Sequence, residues 1–268
     1  MSQPTAYPVF PRGIPDSIKG AGKYQVRFAS TGKDLEAVQR LRFEVFNLEL
    51  GEGLSESFET GLDRDDYDPV CHHLMIRDVE NDRIAGTYRI QTHEMAEAYG
   101  GFYSANEFDL GGLPADVRAR SIEIGRAVVA LEYRNQKVLF LLWRGLAAYM
   151  LRNEKRFLFG CCSLTSQDPA EGKRVMDYLE ENGHCHPQHV VQPQTGWRCY
   201  ESGYDPGPPE KPVKLPKLFR TYMRYGAKVC GPPAMDRSFK TIDYLVLLDT
   251  DELDRMTHAL FFGATPER

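Results

Sequence analysis

The chain has 268 residues, enough to bury a sizeable core in one large domain. With 42% hydrophobic and 26% charged residues it has an ordinary globular composition, which excludes a disordered or fibrous chain. A net charge of −5 excludes a broadly basic nucleic-acid-binding domain, and no apolar run approaches the ~18 residues of a membrane-spanning helix. Residues 1–23 lack the basic start and apolar stretch of a secretory signal and are expected to form a flexible arm. The six cysteines are then expected as reduced thiols in a cytoplasmic protein.

Tyr24 to Ala29 alternates apolar and polar residues, as a first strand does. Thr31 with Asp34 resembles a capping box and opens a helix whose Leu35, Val38, Leu41, Val45 and Leu48 recur at helical spacing. An acidic loop from Glu52 to Asp68 is closed by Pro69. His72–Asp78 and Arg83–Gln91 read as two strands joined at Glu80-Asn81-Asp82, followed by a short helix from Thr92 to Tyr99. Ser121–Leu131 is expected as a strand, Gln136–Arg152 as a buried helix and Arg156–Cys162 as a strand. Asp168-Pro169 starts a helix that stops at Gly183. A Pro- and Gly-rich loop, a short helix at Leu218–Tyr225, a strand at Thr241–Leu248 and a helix from Asp251 complete the pattern. Meandering strands followed by a strand–helix–strand step describe an α/β (α+β) fold with a mixed sheet flanked by helices. Residues 24–268 are expected as a single domain, with 205–268 a C-terminal extension packed on it.

The most informative segment is Glu123-Ile124-Gly125-Arg126-Ala127-Val128-Val129. A carboxylate and a guanidinium three apart in an otherwise apolar strand are costly to bury unless paired or used. Regular strand alternation sends them to opposite faces, so a shared site needs a bulge, for which Gly125 is the candidate. A structural ion pair or two edge charges would satisfy the same pattern. Elsewhere, Arg42 and Phe46 lie four apart on one helix face, Asp63, Asp66 and Asp68 form a dense acidic cluster, and Arg89 closes Gly86-Thr87-Tyr88-Arg89.

The ordered blocks LRFEVF (41–46), DRDDYDP (63–69), HHLMIRD (72–78), GTYRIQ (86–91), EIGRAVV (123–129), LLWRGLAAYM (141–150) and FGCCSL (159–164) resemble the ornithine-lipid-type amino-acid N-acyltransferases. They also resemble, more distantly, the acyl-homoserine lactone autoinducer synthases. The block at 223–248 resembles the tail of the ornithine-lipid branch alone. The resemblance implies a GNAT-like acyltransferase fold with a bulged fourth strand, and an enzyme moving a long, 3-hydroxy fatty acyl group from acyl carrier protein to an amino acid such as ornithine. It places Glu123 and Arg126 in the catalytic pattern and Arg42, Phe46, Asp63, Asp66 and Arg89 in the substrate site. No permanently bound cofactor is implied; the donor is the acyl-phosphopantetheine of the carrier. The turn Glu132-Tyr133-Arg134-Asn135-Gln136-Lys137 lacks the glycines with which most GNAT enzymes grip coenzyme A, which favours the carrier, whose arm bears one phosphate. Backbone amides at Val128 and Val129, with Arg134 and Lys137, are the expected cradle of that arm.

Glu123 is the expected general base for deprotonating the acceptor amine. Arg126 either binds the substrate carboxylate or orders the acidic loop by pairing with Asp63 or Asp66. Phe140, Leu141 and Trp143, with Phe157 and Phe159, are candidates for lining an acyl slot, although plain core is the commoner role of such aromatics. Between Lys211 and Lys228 six basic residues occur and no acidic one. Lys217, Arg220, Arg224 and Lys228 share one helical face if the helix runs that far, and they fit docking of an acidic carrier protein or peripheral contact with an anionic membrane. No EF-hand or zinc spacing is complete, so no metal is expected. A coenzyme A-dependent N-acetyltransferase and a non-catalytic acyl-chain or membrane-binding homologue are the competing readings.

Overall fold

The structure, a computed structural model, describes residues 7–208 and 212–263. Its first elements are β1 (Ile18–Ala21), β2 (Tyr24–Phe28), α1 (Gly32–Phe43), α2 (Ser57–Thr60), β3 (His72–Asp78), β4 (Arg83–Thr92) and α3 (His93–Ala98). They are followed by β5 (Phe108–Asp109), α4 (Ala115–Ala119), β6 (Ser121–Val129), α5 (Gln136–Arg152), β7 (Phe157–Leu164) and α6 (Pro169–Glu181). The last are β8 (Gln192–Pro193), α7 (Lys217–Arg224), β9 (Lys228–Val229), β10 (Ala234–Asp236), β11 (Thr241–Asp249) and α8 (Arg255–Phe262). In place of a single domain the chain forms two compact units. One comprises residues up to Gly100, Ile122–Lys155 and the chain from Asp254 on; the other comprises Gly101–Ser121 and Arg156–Leu253.

The sheet of the first unit is antiparallel, in the order β1-β2-β3-β4-β6. Both of its faces are covered, which explains why β3 and β4 are buried along nearly their whole length, polar residues included. On one face α5 lies so close to β3 that a Cβ added to Gly145 would meet the Leu74 side chain at 2.6 Å. There His72 donates Nε2–H to the Phe10 carbonyl (2.6 Å) and leaves Nδ1 to accept from the Tyr149 hydroxyl (2.8 Å). On the other face Met75 packs with Val38 of α1 and Ala29. Thr31 caps α1 as expected, its hydroxyl accepting from the Asp34 amide at 3.1 Å, while the Asp34 carboxylate returns to the Ser30 amide and Arg27.

One expectation is corrected. The expected flexible arm is held from Val9 onward: the Val9 amide donates to the Pro69 carbonyl at 3.3 Å, Asn153 donates to the Gly13 carbonyl at 2.8 Å, and β1 pairs with β2. Residues 1–6 of that arm lie outside the described residues. Phe140 and Trp143 pack against Phe261 of α8, with ring centroids 5.9 and 5.5 Å apart, which is the core role commoner for such aromatics.

In the second unit β7, β11 and β10 form an antiparallel sheet, with β9 also on β11, and β5 pairs with β8. Residues 205–268 are therefore not an appended extension. β11 pairs with β7 from Ile242↔Leu164 to Asp249↔Phe157 and is the unit's central strand, while α8 belongs to the first unit. Phe159 packs edge-on against Phe102, 4.9 Å between centroids.

Candidate active site

The register between β4 and β6 decides which side chains meet. Gln91 lies opposite Glu123 and Arg89 opposite Gly125, but Thr87 lies opposite Val128. Two steps along β4 are matched by three along β6, which is a one-residue bulge. The residue that absorbs it is Arg126, with φ at +48° in the left-handed region, a conformation costing a non-glycine residue about 1 kcal/mol or more. Gly125 has no left-handed φ, and a Cβ added there would meet nothing within 4 Å. The break thus falls one residue after the expected glycine. Its effect is the expected one. Glu123 shares a face with Gln91 and Arg89, and Arg126, which alternation would send away, is turned to that face too.

Around Arg126 three arginines and three aspartates alternate in a closed ring. Arg126 reaches Asp65 at 3.1 Å and Asp63 at 3.6 Å. Arg42 of α1 donates Nε–H to Asp63 at 2.7 Å and two N–H groups to Asp68 at 2.8 and 2.9 Å. Arg89 bonds Asp65 at 2.6 and 2.7 Å and Asp68 at 3.1 Å, which closes the circuit. Arg42, Asp63 and Asp68 are completely buried, and Arg89 and Arg126 are 4% and 8% exposed. Six charges can be buried together because each has two opposite neighbours and charge-assisted hydrogen bonds.

The acidic segment is shaped to deliver these carboxylates. The Asp63 amide donates to the Gln39 carbonyl of α1, and Asp65 accepts from the Tyr67 amide in an Asx turn. Gln39 donates its amide to Asp68 at 2.9 Å, and His73 Nε2 meets the Asp68 carbonyl at 3.1 Å. Burial alone would raise the Asp68 and Asp65 carboxyls, but arginines (Arg42 first for Asp68, Arg89 first for Asp65) hold both below the ordinary range. Burial pushes the His73 imidazole down to about 4, so it stands neutral beside the ring.

The ring brings together four of the expected site residues, Arg42, Asp63, Arg89 and Arg126. Phe46 is also buried nearby in sequence, on a π-helical stretch, Glu44–Glu49, that continues α1 and ends with the Leu50 amide on the Val45 carbonyl. Asp66 is a correction. It is exposed, and Asp65 and Asp68 fill the role expected of it. The signal for those two was stoichiometric: three arginines in apolar surroundings require three buried carboxylates. Glu123 is 5% exposed and near enough to Cys71 to add to the upward push of burial on that thiol.

The family described as acetyltransferase (GNAT) domain matches residues 41–144, the stretch that contains the ring and the bulge. The L-ornithine N(alpha)-acyltransferase of Rhizobium meliloti is 34% identical, over 94% of this chain and 88% of that protein. That of Brucella abortus is 31% identical, over 92% and 91%. The chain belongs to the L-ornithine N(alpha)-acyltransferase family. Two solved structures show the same fold at a TM-score of 0.51. One is the AHL synthase LasI, 13% identical over 92% of this chain and 100% of that one. The other is FeeM, an N-acyl amino acid synthase from uncultured soil microbes, 12% identical over 87% and 95%.

This L-ornithine N(alpha)-acyltransferase family member is thus an N-acyltransferase built on a GNAT-like fold, a mostly antiparallel sheet flanked by helices. Of the residues expected to cradle the donor, Val128 and Val129 lie on β6 just beyond the bulge. Arg134 is held by Glu49 at 2.5 and 2.7 Å and donates to the Val129 carbonyl at 3.1 Å; the Lys137 ammonium sits 5.5 Å from the Tyr24 ring. In the expected docking strip, Lys217, Arg220 and Arg224 are exposed on α7. The helix ends at Arg224, so Lys228 is not on that face; it stands in β9 and donates to the Gly183 carbonyl at 2.6 Å. Lys211 lies outside the described residues. No helix among the described residues is long and apolar enough to cross a membrane.

Proposed function

We propose that the protein transfers a long-chain, 3-hydroxy fatty acyl group from acyl carrier protein to the α-amine of ornithine. The observation that carries this reading is the bulge at Arg126, which sets Glu123 and the arginine–aspartate ring on one face of β6. Glu123 is the general base that takes a proton from the acceptor ammonium, directly or through a water, before the amine attacks the thioester carbonyl. Proton transfer of this kind contributes typically about 10²–10⁴-fold. Ala130 donates its amide to the Ala85 carbonyl, so alternation gives the Val128 amide to the ladder with β4 and turns the Val129 amide away from it, where it receives the pantetheine arm and the developing oxyanion.

Arg126 has a positioning role: its guanidinium is engaged by Asp65 and Asp63, so it orders the acidic segment rather than presenting itself to a carboxylate. Asp63, Asp65 and Asp68 are likewise neutralised by arginines, which removes them as ligands for a cationic side chain.

A carrier-bound donor is favoured over coenzyme A by the turn before α5. Asn135 spends its side chain on the Val138 amide, filling a donor that would otherwise meet a phosphate, and no glycine opens the turn. Lys217, Arg220 and Arg224 then supply a positive face for an acidic carrier. The test is incubation with 3-hydroxyacyl carrier protein, acyl coenzyme A or acetyl coenzyme A and a pool of amino acids, with products read by mass. N-acyl ornithine formed from the carrier-bound donor supports the reading. Turnover from acetyl coenzyme A alone, or acyl binding without turnover, overturns it.

A further inference from the structure

The second unit holds a group of acids that the acyl-transfer reading does not use. Thr241 and Asp243 are two apart on β11 and so share a face; Asp236 of β10 lies opposite Thr241, and Ser163 of β7 opposite Asp243, which places all four on it. Glu107, at the end of the turn before β5, completes the group. One ligand oxygen from each of Glu107, Asp236 and Asp243 lies within 4.8 Å of the other two, and the residues are 0%, 3% and 4% exposed.

The hydrogen-bond donors to Asp236 and Asp243 are neutral. Asp236 Oδ1 accepts from the Ser238 and Phe239 amides at 2.8 Å each, which fixes its carboxylate. Asp243 Oδ2 accepts from the Thr241 hydroxyl at 3.2 Å. Among the described residues no Lys, Arg or His forms an ion pair with Asp236 or Asp243. The Asp243 Oδ1 atom is buried on the cluster side of β11 and has no hydrogen-bond partner. A buried carboxylate oxygen without a donor costs desolvation that nothing recovers, and like charges this close repel. A cation set between the three would remove both penalties.

We propose that Glu107, Asp236 and Asp243 bind one hard divalent cation of the Mg²⁺, Mn²⁺ or Ca²⁺ type. An all-oxygen set of three carboxylates, with the Thr241 and Ser163 hydroxyls beside it, suits these ions and not soft, thiolate-seeking ones. The ion ties the turn at Glu107 to β10 and β11, and its role is to stabilise this unit. It stands apart from the acyl-transfer chemistry and from the expectation of a metal-free protein.

The test uses the full chain stripped with a chelator and dialysed, then titrated with Mg²⁺, Mn²⁺ or Ca²⁺ at pH 8. At least one ion raises Tm by about 5 °C or more at a hundredfold excess over its Kd, and Mn²⁺ binding read by electron paramagnetic resonance gives one site per chain. Asp243→Asn, nearly isosteric, abolishes both responses, while Asp66→Asn, on an exposed acid, leaves them intact. Should Asp243→Asn not fold, the Mn²⁺ stoichiometry of the wild-type chain still decides. If none of the three ions binds or shifts Tm while Asp243→Asn is itself more stable at pH 8, the acids share protons only and the proposal falls. If only ornithine gives an Asp243-dependent shift, the site takes an organic ammonium and the metal assignment is wrong.

Discussion

Two buried acidic groups in this chain are balanced in opposite ways. In the first unit Asp63, Asp65 and Asp68 face Arg42, Arg89 and Arg126, so every buried charge has opposite charges on both sides. In the second, Asp236 and Asp243 meet hydroxyls, backbone amides and other carboxyls, and among the described residues no cation pairs with either. The contrast shows up in the titrations. Arginines hold Asp68 and Asp65 low, whereas burial, reinforced by Asp236, raises the Asp243 carboxyl to about 6. The first group is closed upon itself and serves to hold a loop against α1 and β6; the second is built to receive something positive. Acidity alone therefore says little about ligands. What matters is whether the charge is already answered.

The comparison can be broken most forcefully at the ring. Arg42→Met strands Asp63 and Asp68 without their shared partner in a fully buried place, and is expected to lower unfolding free energy by about 3–5 kcal/mol in urea titrations. A loss below about 1 kcal/mol would mean that the ring does not hold the loop.

Next in size is the pH dependence of stability, measured with chelator present. The folded His73 value of about 4 lies below its unfolded value, so unfolding takes up a proton between about pH 6.5 and 4 and stability falls on acidification through that window. The folded Asp243 value lies above its unfolded one, so unfolding releases a proton between about pH 4 and 6 and stability falls as pH rises through that window. His73→Gln and Asp243→Asn should therefore change the slope of stability against pH with opposite signs, by up to about 1.4 kcal/mol per pH unit. Equal signs would erase the distinction between the two regions.

Reversing the charges of Lys217 and Arg220 should raise the KM for a carrier-bound donor several-fold at low salt and leave the KM for the amino acid unchanged. Reversing Lys228 should have no such selective effect, because it stands off α7 with its ammonium on a backbone carbonyl. The smallest effect is expected at Asp66, where Asp66→Asn should change stability by no more than about 0.5 kcal/mol.

Much of this was legible in the sequence, for identifiable reasons. The capping Thr31, the Asp168-Pro169 start and the run Gln136–Arg152 gave helices with correct ends, because caps and apolar periodicity are local signals. The need for a break between Glu123 and Arg126 was also visible, since alternation cannot bring both to one face. Its position was not: glycine is the residue that adopts left-handed backbone most cheaply, whereas here Arg126 does so because two aspartates hold its side chain. The choice of Asp65 and Asp68 over Asp66 depends on an Asx turn and on contacts more than twenty residues away, which no local pattern carries. The central place of β11 was hidden for a similar reason: its partner β7 lies far back in the chain.

The account stands most directly on Glu123, and the decisive measurement is the rate of N-acyl ornithine formation by Glu123→Gln. That variant keeps the shape of the side chain and alters none of the six residues of the ring. The account predicts a rate lower by about 10²–10⁴-fold with the melting temperature essentially unchanged. A rate within about threefold of the wild type, in an equally folded protein, would contradict it.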